Sequence, residues 1–364
     1  MHKNLFIKII LMSFLFIGIV HAQTPKWVST EVQNRNIVLE HFTGTHYMDF
    51  PWGDNRANAL EAEFPNKFII INNYSGYDIL SAHIRIDELE LRTDEGQVIW
   101  DEIGYQEYNY WRWGNHYPAA SINRSTYPWA MSSDKWRSTA INVMKQHSIV
   151  NVYVKPEINY KTRELTVEVE YYYTDDSPET ENALSVFLLQ NEIEGHMYGG
   201  LEKNPEYAIN DSLYRHMHVL RKVLSKGGIW GELITNTKKG SYECRKYTTV
   251  LPDSIKNVPL DLTQLEVVAF ISENTGNIYT GHKAVVEVPE NIRTDLVLED
   301  LTEYNNNFNI EPIYPKLKVT NNSDLPVTKF DIEYIISNTH KFLNPNFYEI
   351  KIYDTVINKR DTYS

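Results

Sequence analysis

Cys244 is the only thiol in 364 residues, so one chain can hold no intrachain disulfide, zinc ribbon or two-thiol redox centre. The densest group of reactive side chains lies elsewhere, in Thr43 to Asp54 (TGTHYMDFPWGD). There His46, Asp49 and Asp54, with His41 just upstream, offer metal-ligand and acid–base chemistry. Helix capping and loop polarity account for the same residues, and the expectation is no metal and no cofactor. His216 and His218 form a second pair. On a helix, residues two apart point about 200° from each other, which keeps these two from sharing an ion and gives them structural roles; on a strand they would share a face. Glu168 with Glu170 and Asp175 with Asp176 read as solvated strand faces and turns. A carboxylate pair for glycoside hydrolysis stays open, because its separation is set in space. No nucleophile elbow, zinc-protease helix, phosphate loop or dinucleotide fingerprint is present.

Aromatic residues make up 13 % of the chain, with 25 Tyr and 8 Trp. They concentrate at Tyr105, Tyr108, Tyr110, Trp111, Trp113, Tyr117, Tyr127 and Trp129, interleaved with Asn109, Arg112, Asn115 and His116. Rings with polar tips suit stacking on sugars or gripping an extended peptide, and they equally suit the core of a small domain. The net charge is −13, and no basic patch offsets it, which excludes nucleic acid as a partner.

Several elements must position these residues. Residues 1–22 read as a secretory signal peptide: Lys3 and Lys8 precede an apolar run, and Val20-His21-Ala22 fits peptidase cleavage. The run is too short to span a bilayer, and no transmembrane span is expected. Residues 36–42 read as a strand, 53–64 as a helix capped by Asp54, and 68–71 as a buried strand, together a βαβ unit. Weak helix follows at 91–103, a possible strand at 119–122 and a better helix at 134–147. From Ser148 the pattern alternates with period two, giving strands at 149–156, 164–173, 183–190, 242–250, 264–272 and 277–288. Leu213, Met217, Leu220 and Leu224 recur at helical spacing, so one helix interrupts the strands. After a linker containing Asn305 to Asn307, strands are expected near 313–320, 327–337 and 348–357.

A loop between first strand and first helix is where thioredoxins keep their acidified thiol. The spacing X-x-x-X-Pro is kept here with Tyr47 and Phe50 at the two X positions. On these residues, on Phe42-Thr43-Gly44, Tyr117-Pro118 with Asn123-Arg124, Arg215 to Arg221 (RHMHVLR), Ile229 to Glu232 (IWGE) and Val267 to Phe270, the chain resembles the outer membrane protein 28-related family of secreted, thioredoxin-like envelope proteins. The resemblance covers about residues 36–290. It implies a thioredoxin-like domain at 36–148; with the strand pattern after Ser148, the expected architecture is α/β plus all-β, with an antiparallel β-sandwich carrying one helix at 149–290 and an incomplete Ig-like β module at 300–364. Where relatives carry Cys-x-x-Cys this chain has Tyr47 and Phe50, so thiol–disulfide exchange does not carry over. Pro118 takes the position of the thioredoxin cis-proline turn, which faces that loop.

The expectation is an exported protein of the periplasm, outer membrane surface or extracellular space. It binds a glycan, peptide or envelope protein through Tyr47, Phe50, Trp111, Trp113, Tyr117 and Pro118, with no catalytic residue assigned. The alternative is an exported hydrolase using carboxylates or a metal near the aromatic segment.

Overall fold

The computed structural model describes residues 24–76, 88–104, 118–127, 129–274, 276–287, 296–300, 317–321, 330–336, 346–352 and 362–363. The segment read as a signal peptide, Trp111, Trp113 and Tyr117, and the linker at 305–307 lie outside the described residues.

Strand β1 (Ile37–Thr43), helix α1 (Phe50–Glu63) and strand β2 (Phe68–Tyr74) form the βαβ unit, with β1 and β2 parallel from Ile37↔Phe68 to Thr43↔Tyr74. Every residue of both strands is buried, which explains the scarcity of alternation in their sequences. Helix α1 starts before the expected Asp54. Pro51 fits the first turn, where its missing N–H costs no hydrogen bond, and Asp54 is buried inside the helix instead of capping it. Helix α2 (Asp94–Ile99) is capped by the Thr93 hydroxyl, which accepts from Gly96 N, and runs on into a wider π turn over Trp100–Gly104. Strand β3 (Ala119–Ile122) pairs antiparallel with β1, β4 (Ala130–Ser132) pairs with β3, and α3 (Trp136–Met144) follows.

The remainder is mostly strands. β5 (Val150–Asn159), β6 (Glu164–Tyr173), β7 (Asn182–Gln190) and β8 (Ile193–His196) precede one helical turn, α4 (Gly200–Lys203). β9 (Leu213–His216), β10 (Val219–Val223), β11 (Glu232–Ile234) and β12 (Tyr242–Val250) follow, then the two-residue strands β13 (Ser254–Ile255) and β14 (Val258–Pro259). β15 (Leu265–Ser272) and β16 (Ile278–Val285) come next. Five later strands are β17 (Leu296–Asp300), β18 (Leu317–Asn321), β19 (Phe330–Ile336), β20 (Asn346–Ile352) and β21 (Thr362–Tyr363).

The helix expected over 213–224 does not form; the segment is β9 and β10. His218 has φ +52°, and this left-handed residue separates the two strands. The apolar spacing misleads because Val219, Leu220 and Arg221 are all buried in a strand covered on both faces, where period two is lost.

The molecule is largely β-sheet, in several sheets. The main one has nine strands in the order β16-β15-β7-β10-β2-β1-β3-β4, with β11 added on β7. It draws strands from both sides of residue 148. Its β16 edge also reaches back to the start of β1 and the end of β3: Asn36 donates from its backbone N to Thr280 Oγ1 (3.1 Å) and from Nδ2 to the Gly281 carbonyl (2.8 Å), while Ile278 N donates to the Asn123 carbonyl (2.8 Å). Val38, Phe42, Ile69, Phe187, Leu189, Val268 and Phe270 pack on the inner face. On the outer face α1 and α3 cover Leu39, Ile70 and Ile122, and beside them the sheet β12-β6-β5 covers Leu184, Val186, Val267 and Ala269.

Candidate functional site

The loop between β1 and α1 is packed as a scaffold. Phe50 is 1 % exposed and joins Met197 and Tyr214 in a small core, with half-buried Tyr47 edge-on to it at 5.5 Å between ring centroids. Gly53 lets the helix come close to Pro118: a Cβ there would lie 2.4 Å from Pro118 Cβ and 2.7 Å from His41 Nε2. The Asn72 amide is oriented by its Nδ2 donating to the Met217 carbonyl (2.8 Å), so its oxygen accepts from His41 Nδ1 (3.0 Å), with the Asp54 carboxylate 3.3 Å from the same nitrogen. Asp54 also accepts from the Tyr214 hydroxyl (3.2 Å). The Tyr74 hydroxyl lies 2.7 Å from His216 Nδ1, and burial lowers the His216 pKa to about 4, leaving the ring neutral near pH 7. His216 is thereby structural.

The other stretches carrying the family likeness are also internal ties. The Arg124 guanidinium donates twice to Glu40, from Nε to Oε2 (2.8 Å) and from Nη2 to Oε1 (2.6 Å), with both groups buried. Asn123 accepts from Val38 N (2.9 Å) and donates to the carbonyls of Asn36 and Ile278, knitting β1 to β16. Buried Arg221 donates to the carbonyls of Leu91 and Ile255.

A groove of about 850 Å³ opens beside α1. Six amides line it: Asn36, Asn55, Asn58, Asn66, Asn191 and Asn204, with Tyr207 and Met217 beside them. Its charged part is a closed ring of four groups. His218 Nδ1 is 2.7 Å from Glu266 and its Nε2 3.4 Å from Glu61, while Lys283 Nζ is 2.6 Å from Glu61 and 3.5 Å from Glu266. Burial opposes charge on His218, but the Glu266 carboxylate and then Glu61 outweigh it and raise its pKa to about 9. Burial likewise opposes charge on Glu61, and His218 with Lys283 overcomes it, bringing the carboxyl to about 2. Glu266 is held below the ordinary carboxylate range against the same burial, by His218 and Lys283. Two cations and two anions thus cancel near neutral pH.

The loop acids Asp49 and Asp54 do not join a ligand set with His46. His46 Nε2 instead lies 2.8 Å from Glu88 Oε2, and the His196 ring is 4.7 Å from the His46 ring. Tyr127 and Trp129, the described members of the aromatic stretch, meet edge to face at 5.8 Å. Cys244 sits half-buried on β12, its thiol pKa raised by burial and by Glu170 and Glu168. No sequence pattern marks Glu61, Glu266 and Lys283 on the groove, or Glu88 and His196 beside His46. No spacing links them, because each pair meets only through the fold.

No curated protein matches the chain. Among solved structures, HBP35 of Porphyromonas gingivalis is 13 % identical with a TM-score of 0.48, covering 88 % of this chain and 99 % of that one. A domain of the outer membrane lipoprotein Omp28 from the same organism is 18 % identical with a TM-score of 0.26, covering 38 % and 89 %. A protein of Agrobacterium tumefaciens is 12 % identical with a TM-score of 0.41, covering 71 % and 97 %. The model of the family of outer membrane protein Omp28 matches residues 105–291, just over half the chain, and supports an envelope or surface-exported location: the chain belongs to that family.

Proposed function

We propose that this envelope protein is a binding protein that holds a neutral, polar ligand, a glycan or peptide, in the amide-lined groove beside α1. The groove's composition carries the reading. Six amides, a ring of Glu61, His218, Glu266 and Lys283 that balances its own charge, and one further carboxylate at Glu206 offer mainly uncharged donors and acceptors, which favours a hydrogen-bonding ligand over an anion. Tyr207 adds an aromatic ring to the lining, suited to contact with a sugar or peptide.

In this proposal the region around β1, α1 and β2 is a thioredoxin-like scaffold without redox chemistry. The parallel β1–β2 pair, antiparallel β3 next to β1, and Pro118 against the helix start support that likeness. Tyr47, Phe50 and Pro118 then hold the scaffold together, and the aromatic composition around Trp111, Trp113 and Tyr117 makes those residues further candidates for ligand contact. A glycan and peptide array should show a ligand lost on Asn58→Ala combined with Tyr207→Ala, and weakened by Trp111→Ala with Trp113→Ala. Binding untouched by the groove pair removes the reading. Insulin-disulfide reduction should stay at background, with Cys244→Ser making no difference.

A further inference from the structure

We infer that His46, Glu88 and His196 form a binding site for a divalent first-row transition-metal ion. Their ligand atoms all lie within 4.8 Å of one another, and each residue is partly exposed, so an ion can enter from solvent. Two imidazoles and a carboxylate are a donor set suited to zinc and its neighbours in the first row. Such an ion bonds at roughly 2.0–2.2 Å, which places its ligand atoms about 3–3.5 Å apart. The His46–Glu88 separation of 2.8 Å is already close to that range, and the wider ones need an inward adjustment on the order of 1 Å.

Separate anchors fix the backbone of all three residues. Tyr198 N donates to the Thr45 carbonyl (2.9 Å), which ties the His46 loop to the chain just after His196. His196 ends β8, paired in register with Leu213 on β9. The Glu88 carbonyl accepts from Asn257 Nδ2 (2.8 Å), and Asn257 Oδ1 accepts from Glu90 N (2.6 Å). Three segments far apart in sequence are thus held with their donors converging, so little ordering entropy remains to oppose binding. One cation takes a lone pair from each of the two imidazoles, whose rings stand 4.7 Å apart, and from the carboxylate. Three protein donors leave at least one coordination position open to water or a small ligand.

The test is calorimetric titration of the untagged, purified protein with zinc chloride, repeated with cobalt(II) to read the visible absorption of a nitrogen–oxygen site. The expected result is one ion per chain, with affinity falling roughly tenfold or more in each of His46→Ala, Glu88→Gln and His196→Ala. Exposed His147→Ala should change nothing. Glu88→Gln keeps the side-chain shape, so its loss of binding with an unchanged metal-free melting temperature separates ligation from folding. Absence of saturable binding by the unaltered protein, or equal binding by Glu88→Gln and both histidine variants, overturns the proposal. The glycan and peptide experiments on the groove are independent of either outcome.

Discussion

At the scale of single residues, burial sorts the titratable groups. His218 is held charged with a pKa of about 9, against about 6.5 when unfolded, so the folded state binds more protons between those values. Its stabilisation is complete below pH 6.5 and is lost as pH rises through 9. His216 and His282 act oppositely: burial lowers both to about 4, so the unfolded state binds more protons from pH 6.5 down to 4, and stability falls with pH there. Denaturant melts from pH 4 to 10 should therefore peak near pH 6.5, and His218→Gln should flatten the alkaline side. Unchanged alkaline loss in that variant would contradict the assignment. The buried Glu40–Arg124 pair gives a second test. Arg124→Met strands the Glu40 carboxylate and should cost about 3–5 kcal/mol by chemical denaturation.

At the scale of elements, α1 is seated through Phe50 on the segment around β8 and β9, where Met197 and Tyr214 receive it. Phe50→Ala should lower stability by about 3–5 kcal/mol, visible as an earlier urea midpoint with little change in slope. A cost below about 1 kcal/mol would mean the ring is a surface group. Local pattern made some elements legible and others not. β6 (ELTVEVEYYY) alternates because its two faces meet different surroundings, with Leu165, Val167 and Val169 buried and Glu164, Thr166 and Glu168 partly or fully exposed. β10 carries no such alternation because Val219, Leu220 and Arg221 are covered on both faces. The loop after β1 is legible as a place for chemistry, and His46 with it. Glu88 and His196 could not be found, since they reach His46 from 42 and 150 residues away, distances that no local pattern encodes.

At the scale of the whole molecule, the nine-stranded sheet joins regions that the sequence divides at residue 148. The boundary in composition is real, because strands dominate after it, yet β2 pairs with β10 across it and the inner face is filled from both sides. A fragment ending at residue 148 would leave Val38, Phe42, Ile69 and Ile71 without their partners Phe187, Leu189, Val268 and Phe270. Such a fragment should show no cooperative melting transition, while the intact chain over these strands unfolds as one unit. A sharp transition for the fragment would show that 36–148 folds independently.

The seam between β16 and the start of β1 has a kinetic consequence. It joins residues 245 apart in the chain, the Asn36 amide to the Gly281 carbonyl, so its loop-closure cost falls due before its contacts form. The early strands can pair locally, but this seam cannot form until 245 residues have followed Asn36. A seam of this sequence separation thus delays final compaction until most of the chain is available to fold.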